Sequence, residues 1–589
     1  MEKRVLIAFA LSTLVLSAWY YFFTPPRPTQ VQPPKVNTVR LESESSKPKL
    51  SSEENERPPT AEAGPIPPPV ADKEPREILL KSPFWTARFS NIGAVPTHWT
   101  VSRLLDGGGR QLKGQDNRDL ELIPQNPEVI AALDRPFGLI SKDPAITTLL
   151  TASHFEVSTE EHAVYLEPGA KRRISFIFRE PQSQIEVIKS FSFQGDRYDF
   201  EFTLEARKQG EPLELQLTLG PNFADQSVKK TGVYLTPTMG IVQLVNGKVE
   251  RVNLEKSTSQ VVGGPASWAG VEDNYFALVA VPREPFQAIE IKGLTINEKH
   301  SDENVDLHFL AARLPIRAGA TYTIFAGPKD PGILEIVDQR VGKVGLGNLI
   351  NYGMLSGVVR PVVDWILLPS LNYTYRYVHN YGLAIIVLTF VINMLFFPLK
   401  WRSTIKMRQA AALQPRMKGL QDRMKGLKKD DPQIQRLQME QMKLMKQANP
   451  LGGCLPMLAQ LPIFWAFYVL LTVSIDVRHA PFFGWIDNLS APDRLHILPV
   501  VMCLSMIGQS AMMPSTGLQN NPAQKVMMYV MPVMLTALFF WQAPSGLVLY
   551  WLFSNIVGVG QQYVINKLNP PPPPVDASSE RKSHKKRAA

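Results

Sequence analysis

Cysteine is almost missing from this chain of 589 residues: only Cys454 and Cys503 occur, far apart and in or beside apolar runs. No disulfide framework and no CxxC metal site can be built from two such residues, so they read as small apolar packing groups. HExxH, GxSxG and paired carboxylates within an apolar run are also missing, which removes the usual constellations of a membrane-embedded hydrolase. His98, His154, His162, His300 and His308 fall at no metal-ligand spacing and read as surface or strand residues. The expectation is a protein with no catalytic residues, no metal, no cofactor and no small-molecule substrate. A secondary transporter should show internal repeats and ionisable residues at mid-membrane, and neither is found. Charge of either sign is absent from the runs Val5–Phe23, Tyr381–Leu399, Cys454–Val473, Leu495–Met512, Val526–Trp541 and Gly546–Ile565. Each is close to the ~20 residues that a hydrocarbon core of ~30 Å requires.

Positive charge is concentrated between two of those runs. Lys400–Gln447 carries thirteen Lys and Arg against four acidic residues, in a chain whose formal net charge is +10. Such a stretch beside membrane spans marks the cytoplasmic side. Its apolar residues Leu413, Met417, Leu420, Met424 and Leu427 recur at steps of four and three, which predicts one helix face. Lys428-Lys-Asp-Asp-Pro432 breaks the pattern, with Asp431 placed to cap and Pro432 at a first helical position. A second helix follows, with Ile434, Leu437, Met442 and Met445 on its apolar side. The two stripes either zip the helices into a hairpin or leave a Met-rich face, Met417, Met424, Met442 and Met445, open to hydrophobic segments of other chains.

The remaining organisation follows from texture. Residues 1–23 hold the first run behind Lys3 and Arg4, and the aromatic cluster Trp19–Phe23 favours an uncleaved anchor over a signal peptide. Residues 24–74 are rich in Pro, Ser and Glu and predict an extended tether. From 75 to 338, runs such as Ile174–Phe178, Tyr198–Leu204 and Leu213–Leu219 alternate apolar and polar residues, predicting an antiparallel β-sandwich. Residues 339–380 include Leu346–Leu371, an apolar but Gly- and Pro-interrupted segment with Arg360 and Asp364, expected to lie along the outer interface. Residues 381–567 hold five crossings and the hairpin 400–447, and 568–589 form a basic tail. With hairpin and tail inside, both termini are cytoplasmic and the β domain is outside. The tail's Arg581, Lys582, Lys585, Lys586 and Arg587 either serve topology alone or make a weak contact with ribosomal RNA or anionic lipid.

Several motifs then carry a resemblance. Asn449-Pro-Leu-Gly-Gly-Cys-Leu-Pro-Met-Leu-Ala-Gln-Leu-Pro-Ile-Phe464, Pro398-Leu399, Leu413-Gln-Pro415, Pro544-Ser-Gly-Leu-Val-Leu-Tyr550 and Ser554-Asn555 resemble the signature of the YidC insertases, in the right order over about 381–567. The anchor and large outer domain resemble the bacterial, two-membrane version. The resemblance implies a multi-domain membrane protein: a five-span α-helical core plus an N-terminal anchor, a periplasmic all-β supersandwich and a cytoplasmic helical hairpin, in the bacterial inner membrane. It implies a role in inserting and folding nascent membrane proteins, alone or with the Sec translocon, through a hydrophilic groove and without ATP. The alternative is a structural or assembly partner of the translocon that inserts nothing itself.

Residues able to line a groove are Thr389, Asn393, Gln460, Ser505, Gln509, Ser510, Ser554 and Asn555; alternatively they hydrogen-bond between helices and hold the bundle together. Tyr550 and Trp551 offer aromatic contact with a client, Trp551 standing where relatives often have a second Tyr. Bacterial members usually carry an Arg five residues before the Pro-Leu, and counting back from Pro398 gives Asn393. The residues therefore support a polar but uncharged groove.

Overall fold

The computed structural model describes residues 72, 74–101, 112–114, 118–226, 240–252, 258–300, 303–353, 355–425, 427, 432–448, 451–512 and 526–570. The expected anchor 1–23, nearly all of the tether 24–74 and the basic cluster Arg581–Arg587 lie outside these residues.

Period-two alternation builds the β half. In the strand Lys171–Glu180, Ile174, Phe176 and Phe178 are buried while the residues between them are half-exposed. Among the described residues a four-stranded sheet runs in the order Val95–Val101, Trp85–Ser90, Glu77–Lys81, Ala163–Tyr165. A fourteen-stranded sheet faces it, with Glu303–Ile316, Phe286–His300 and Ser259–Glu272 as its longest members. Pairing is antiparallel, as the alternation predicts, except that Glu77–Lys81 runs parallel to Ala163–Tyr165. Two short helices, α1 (Pro127–Leu133) and α2 (Pro144–Ala152), interrupt the expected all-β character, each opened by a side-chain cap, Asn126 or Asp143, and a Pro. The core between the sheets is aromatic: Trp85 and Trp99 stack at 5.0 Å, and Phe191 meets Phe89, Phe137 and Phe202 at 5.0–5.4 Å. Rings of this size dominate the apolar area removed from water.

A lysine sits inside that core. Lys189 occupies an inward position of the strand Ile185–Gln194, 1% exposed, and its Nζ donates to the carbonyls of Gly93 (2.6 Å), Ala94 (3.2 Å) and Phe137 (2.8 Å). Three acceptors match the three protons of an ammonium group. Burial nevertheless pushes its pKa down from 10.5 to about 7.

The β half ends in α3 (Pro331–Arg340), capped by Asp330, so the boundary expected at 338 falls inside a helix. A short 3-10 turn, Leu346–Leu349, then α4 (Ser356–Pro361), a π-helical stretch Val362–Leu367 and α5 (Leu368–Val378) make one amphipathic run. The wide turn lets the helix continue past Pro361 and Pro369. Val359, Val363, Leu367 and Leu371 are buried at steps of four, while Trp365, Ile366, Tyr373 and Tyr377 are exposed.

The helical half consists of α6 (Tyr381–Lys425), α7 (Pro432–Ala448), α8 (Leu451–Val473), α9 (Ile497–Met512), α10 (Met531–Leu535, between π-helical stretches Val526–Val530 and Thr536–Phe540) and α11 (Ser545–Leu568). The span and the hairpin's first arm were expected as separate elements meeting near Lys400; α6 instead runs unbroken through Pro398. A proline within a helix forfeits one backbone bond, which packed neighbours tolerate. Among the described residues Tyr381–Gln409 is the helix long and apolar enough to cross a membrane by that measure; Gln460–Val473, Ile497–Met512 and Met528–Phe540 are shorter apolar helices. Val387, Phe390, Val391 and Leu395 on α6 and Val500, Val501 and Leu504 on α9 are exposed, a large apolar surface for a protein in water.

Two polar knots tie the β half to the segments that follow it. Glu272 accepts from Arg251 Nε (2.6 Å) and Lys329 Nζ (2.9 Å), and both cations also reach the carbonyl of Leu349 (2.9 and 3.3 Å). In the second knot Arg478, on the loop after α8, pairs with Asp225 of the β half and donates to the Lys113 carbonyl (3.2 Å). The side chains of Arg478 and Asp225 are only 2% and 4% exposed. The guanidinium also lies over Tyr275 (5.6 Å) and Phe276 (5.7 Å).

Arg478→Ala takes the guanidinium from buried Asp225, which keeps its contact with His479 Nε2 (3.3 Å); breaking such buried pairs costs about 3–5 kcal/mol. The expected outcome is faster limited proteolysis at the 474–493 loop in detergent, with β-strand circular dichroism kept; unchanged cleavage would contradict this role. For Lys189, the unfolded chain holds its proton up to about pH 10.5 and the folded one only to about 7. Between those values the unfolded state binds more protons, so stability rises with pH. Lys189→Met should flatten that rise, read as melting temperature of the β half at pH 7, 8.5 and 10.

Candidate functional site

Among the described residues of the helical half, polar side chains gather in a seam between α6 and α11 with α9 alongside. Thr389, Asn393, Lys400, Thr404 and Arg408 are spaced by four or seven residues, so they share a face of α6. On α11, Ser554, Gly558 and Gln561 share a face at steps of four and three, and Asn566 follows five residues on. The Asn393 side chain, 4% exposed, donates from Nδ2 to the Thr389 carbonyl (2.9 Å) and to Ser554 Oγ (3.3 Å). Ser554 Oγ in turn reaches Asn393 Oδ1 (3.4 Å), and Gln561 Nε2 donates to the Asn393 carbonyl (2.9 Å). Towards α9, Asn555 Nδ2 donates to Ser505 Oγ (2.9 Å), which donates to the Met502 carbonyl (2.6 Å). Thr389 is fully buried and donates within its own helix, to Ile385 (2.6 Å).

Lower along the seam the character becomes cationic. Lys400 Nζ donates to Gln561 Oε1 (3.2 Å) and the Gly558 carbonyl (3.4 Å). Arg408 donates to Asn566 Oδ1 and the Asn569 carbonyl. A Cβ on Gly558 would fall 2.4 Å from Gln509 Nε2 and 3.0 Å from Lys400 Nζ, so glycine is what lets both side chains close over α11.

The structure therefore gathers Asn393, Ser505, Gln509, Ser554 and Asn555 into one polar seam, with Thr389 at its upper end. Gln460 and Ser510 are half-buried on α8 and α9. Tyr550 and Trp551 have aromatic partners instead: Tyr550, 2% exposed, stacks on Phe467 (4.3 Å), and Trp551 packs edge-on against Phe464 (4.9 Å) and beside Phe540 (5.2 Å). The sequence reading missed Lys400, Arg408, Gly558 and Gln561. The seven-residue spacings 393–400 and 554–561 were the available signal.

In the hairpin, α7 packs on α6. Leu420 is buried and Met424 half-buried; the inward residues of α7 are Ile434, Leu437, Gln441 and Leu444, at steps of three and four. Met442 lies eight residues from Ile434, about 80° round the helix, and is exposed, as is Met439. The expected apolar side of α7 is thus rotated from the one observed. The side chains of Met417 and Met445 lie outside the described residues.

The loop after α8 packs over one end of α6 and α11. Phe482 covers Gly382, Gly546 N donates to the Leu489 carbonyl (2.8 Å), and Ser545 Oγ to that of Ala491 (2.8 Å).

The family model described as 60Kd inner membrane protein matches residues 373–571, and the one described as YidC periplasmic domain matches residues 113–365. The membrane protein insertase YidC of Syntrophus aciditrophicus (strain SB) is 33% identical over 590 residues, covering 96% of this chain and all of the relative. That of Geotalea daltonii is 32% identical over 586 residues, 97% of this chain and all of the relative. Among solved structures, an active YidC insertase with its first transmembrane domain resolved aligns over 85% of this chain and 95% of that one, at 15% identity and a TM-score of 0.33.

Proposed function

The chain belongs to the YidC family of membrane protein insertases, and from this premise we propose that it passes client segments into the bilayer by way of the α6–α11 seam. It is an insertase of the bacterial inner membrane with a periplasmic β domain, and its clients are nascent membrane proteins. Moving a polar client tail across ~30 Å of hydrocarbon is costly because backbone and side chains lose water. A seam of amides and hydroxyls opened to water halfway shortens the dry path. The client's own apolar segment drives the remainder, at about 0.8 kcal/mol per buried CH₂.

The observation that carries this reading is the partner list of Asn393, Ser554 and Gln561. Neutral groups hold one another at 2.9–3.4 Å. Such bonds exchange for water or client groups at little net cost, since each is worth only about 0.5–1.5 kcal/mol. In this arrangement five helical segments of 381–567 cross the bilayer, and the amphipathic run Ser356–Val378 lies at the periplasmic surface with Trp365, Tyr373 and Tyr377 towards the headgroups. The basic hairpin and both termini are cytoplasmic. Exposed Met439 and Met442 offer adaptable contacts to arriving apolar segments, together with Met417, Met424 and Met445. The Sec translocon is a partner for larger clients, and Arg581, Lys582, Lys585, Lys586 and Arg587 meet ribosome or lipid phosphates weakly. No step of this route calls for a catalytic residue.

Two measurements in liposomes holding this protein alone test the reading. Asn393→Leu should lower insertion of small clients severalfold by drying the seam. Asn393→Arg should be tolerated, because a cation facing water in a polar notch avoids most of the hydrocarbon penalty; full activity of the Leu variant would remove Asn393 from the route. Deleting Ala412–Lys446 should abolish insertion while the remaining helices stay in the membrane, and normal insertion by that deletion would exclude the hairpin.

A further inference from the structure

The loop 474–493 between α8 and α9 bonds to the β half and to the ends of both seam helices. Arg478 and His479 reach Asp225 of the β half. Three residues on, Phe482 packs over Gly382, and its carbonyl accepts from Asn380 Nδ2 (3.3 Å), just before α6. The carbonyls of Leu489 and Ala491 accept from the backbone amides of Gly546 (2.8 Å) and Ser545 (2.7 Å), which open α11.

His479 stands where these paths meet, and its partners fix its proton. Ser490 N donates to Asn488 Oδ1 (2.9 Å), so Nδ2 is the atom that this amide turns to His479 Nδ1, at 2.8 Å. An amide nitrogen only donates, hence Nδ1 accepts and carries no proton. The ring proton is on Nε2, which donates to Asp225 Oδ2 (3.3 Å). Only the neutral imidazole fits this arrangement. A second proton sets the N–H of Nδ1 against the NH₂ of Asn488, two donors face to face. Either the amide turns over and abandons Ser490 N, or the ring leaves Asn488. The His479 side chain is 18% exposed, so protons from water reach it. Histidine is the side chain that ordinarily changes charge between pH 5 and 8.

We propose that His479 is a proton-operated catch: acid charges it, it gives up Asn488, and the loop loosens its hold on the start of α11. The new charge strengthens the bond to Asp225, so the loop stays on the β half while it slackens towards α11. In the reading above this loop is periplasmic, so the catch answers to the pH outside the inner membrane. The charged groups around it are Asp225 and Arg478 in contact, the Asp487–Arg494 pair (3.1 Å) beside Asn488, and Asp476, which accepts from Asn372 (3.0 Å). From the β half come the Lys113–Asp119 pair (2.8 Å) and Asp273, next to Tyr275, on whose ring Arg478 lies. Of these, Asp273 also titrates near neutrality, because burial raises its pKa to about 7.

The test is hydrogen exchange of the full chain in detergent. It reads protection of the Ser545 and Gly546 amides, which bond to the loop, at pH 7.5 and 5.5 after correction for intrinsic rates. Protection should fall roughly fivefold on acidification, the size of one lost hydrogen bond. His479→Gln keeps a neutral donor for Asp225 and should make protection independent of pH. Asn488→Asp sets an acceptor before the charged ring and should hold protection at pH 5.5. No fall in the unaltered chain overturns the catch, and so does an equal fall in Asn488→Asp. An equal fall in His479→Gln overturns it too and assigns the effect to Asp273. Insertion does not enter this readout, so each of these outcomes leaves the insertase reading intact.

Discussion

The contact between α6 and α11 governs the helical half of this protein. Polar groups within a bundle facing lipid must find partners inside it, and here they find them without opposite charges. Asn393, Ser554 and Gln561 close a neutral ring of bonds, and Lys400 and Arg408 are held by carbonyls and amides. Had Gln561 been a glutamate, Lys400 would have been locked in an ion pair and the seam sealed. Neutral partners of this kind can be replaced at little net cost, which buried charged pairs cannot.

The periplasmic half obeys the opposite rule. Its link to the bundle, Arg478 with Asp225, is buried and charged, and the Glu272 cluster with Arg251 and Lys329 holds the Leu349 turn that leaves the β half. Such pairs contribute little net stability but punish separation, because parting them strands a charge out of water. The outer face is thereby fixed to a large aromatic-cored β structure while the inner face keeps neutral contacts.

Much of the fold was legible because burial on one face writes a period into sequence. Ile174, Phe176 and Phe178 announced a strand, and Pro432 announced the start of α7. What escaped was long-range or depended on context. The parallel pairing of Leu79 with Ala163 and the meeting of Asp225 with Arg478 join distant segments, and no local pattern encodes either. Lys400 was read as part of a topological charge cluster because the span was drawn to end at Leu399. Only with α6 continuous through Pro398 does its side chain fall on the Asn393 face. Asn393 itself was legible from the motif that follows it, yet its partners Ser554 and Gln561 required the packing of two helices.

The continuity of α6 has a mechanical consequence. Forty-five residues at 1.5 Å each make a rod of about 68 Å, more than twice the thickness of the hydrocarbon core. The part beyond Lys400 is a lever of roughly 37 Å whose fulcrum lies beside the seam. Tilting it by about 5° carries its tip some 3 Å sideways, whereas the same angle acting over the few ångströms between Lys400 and Gln561 shifts that contact by only a fraction of an ångström. Large excursions at the tip thus arrive at the membrane surface as small, forceful ones.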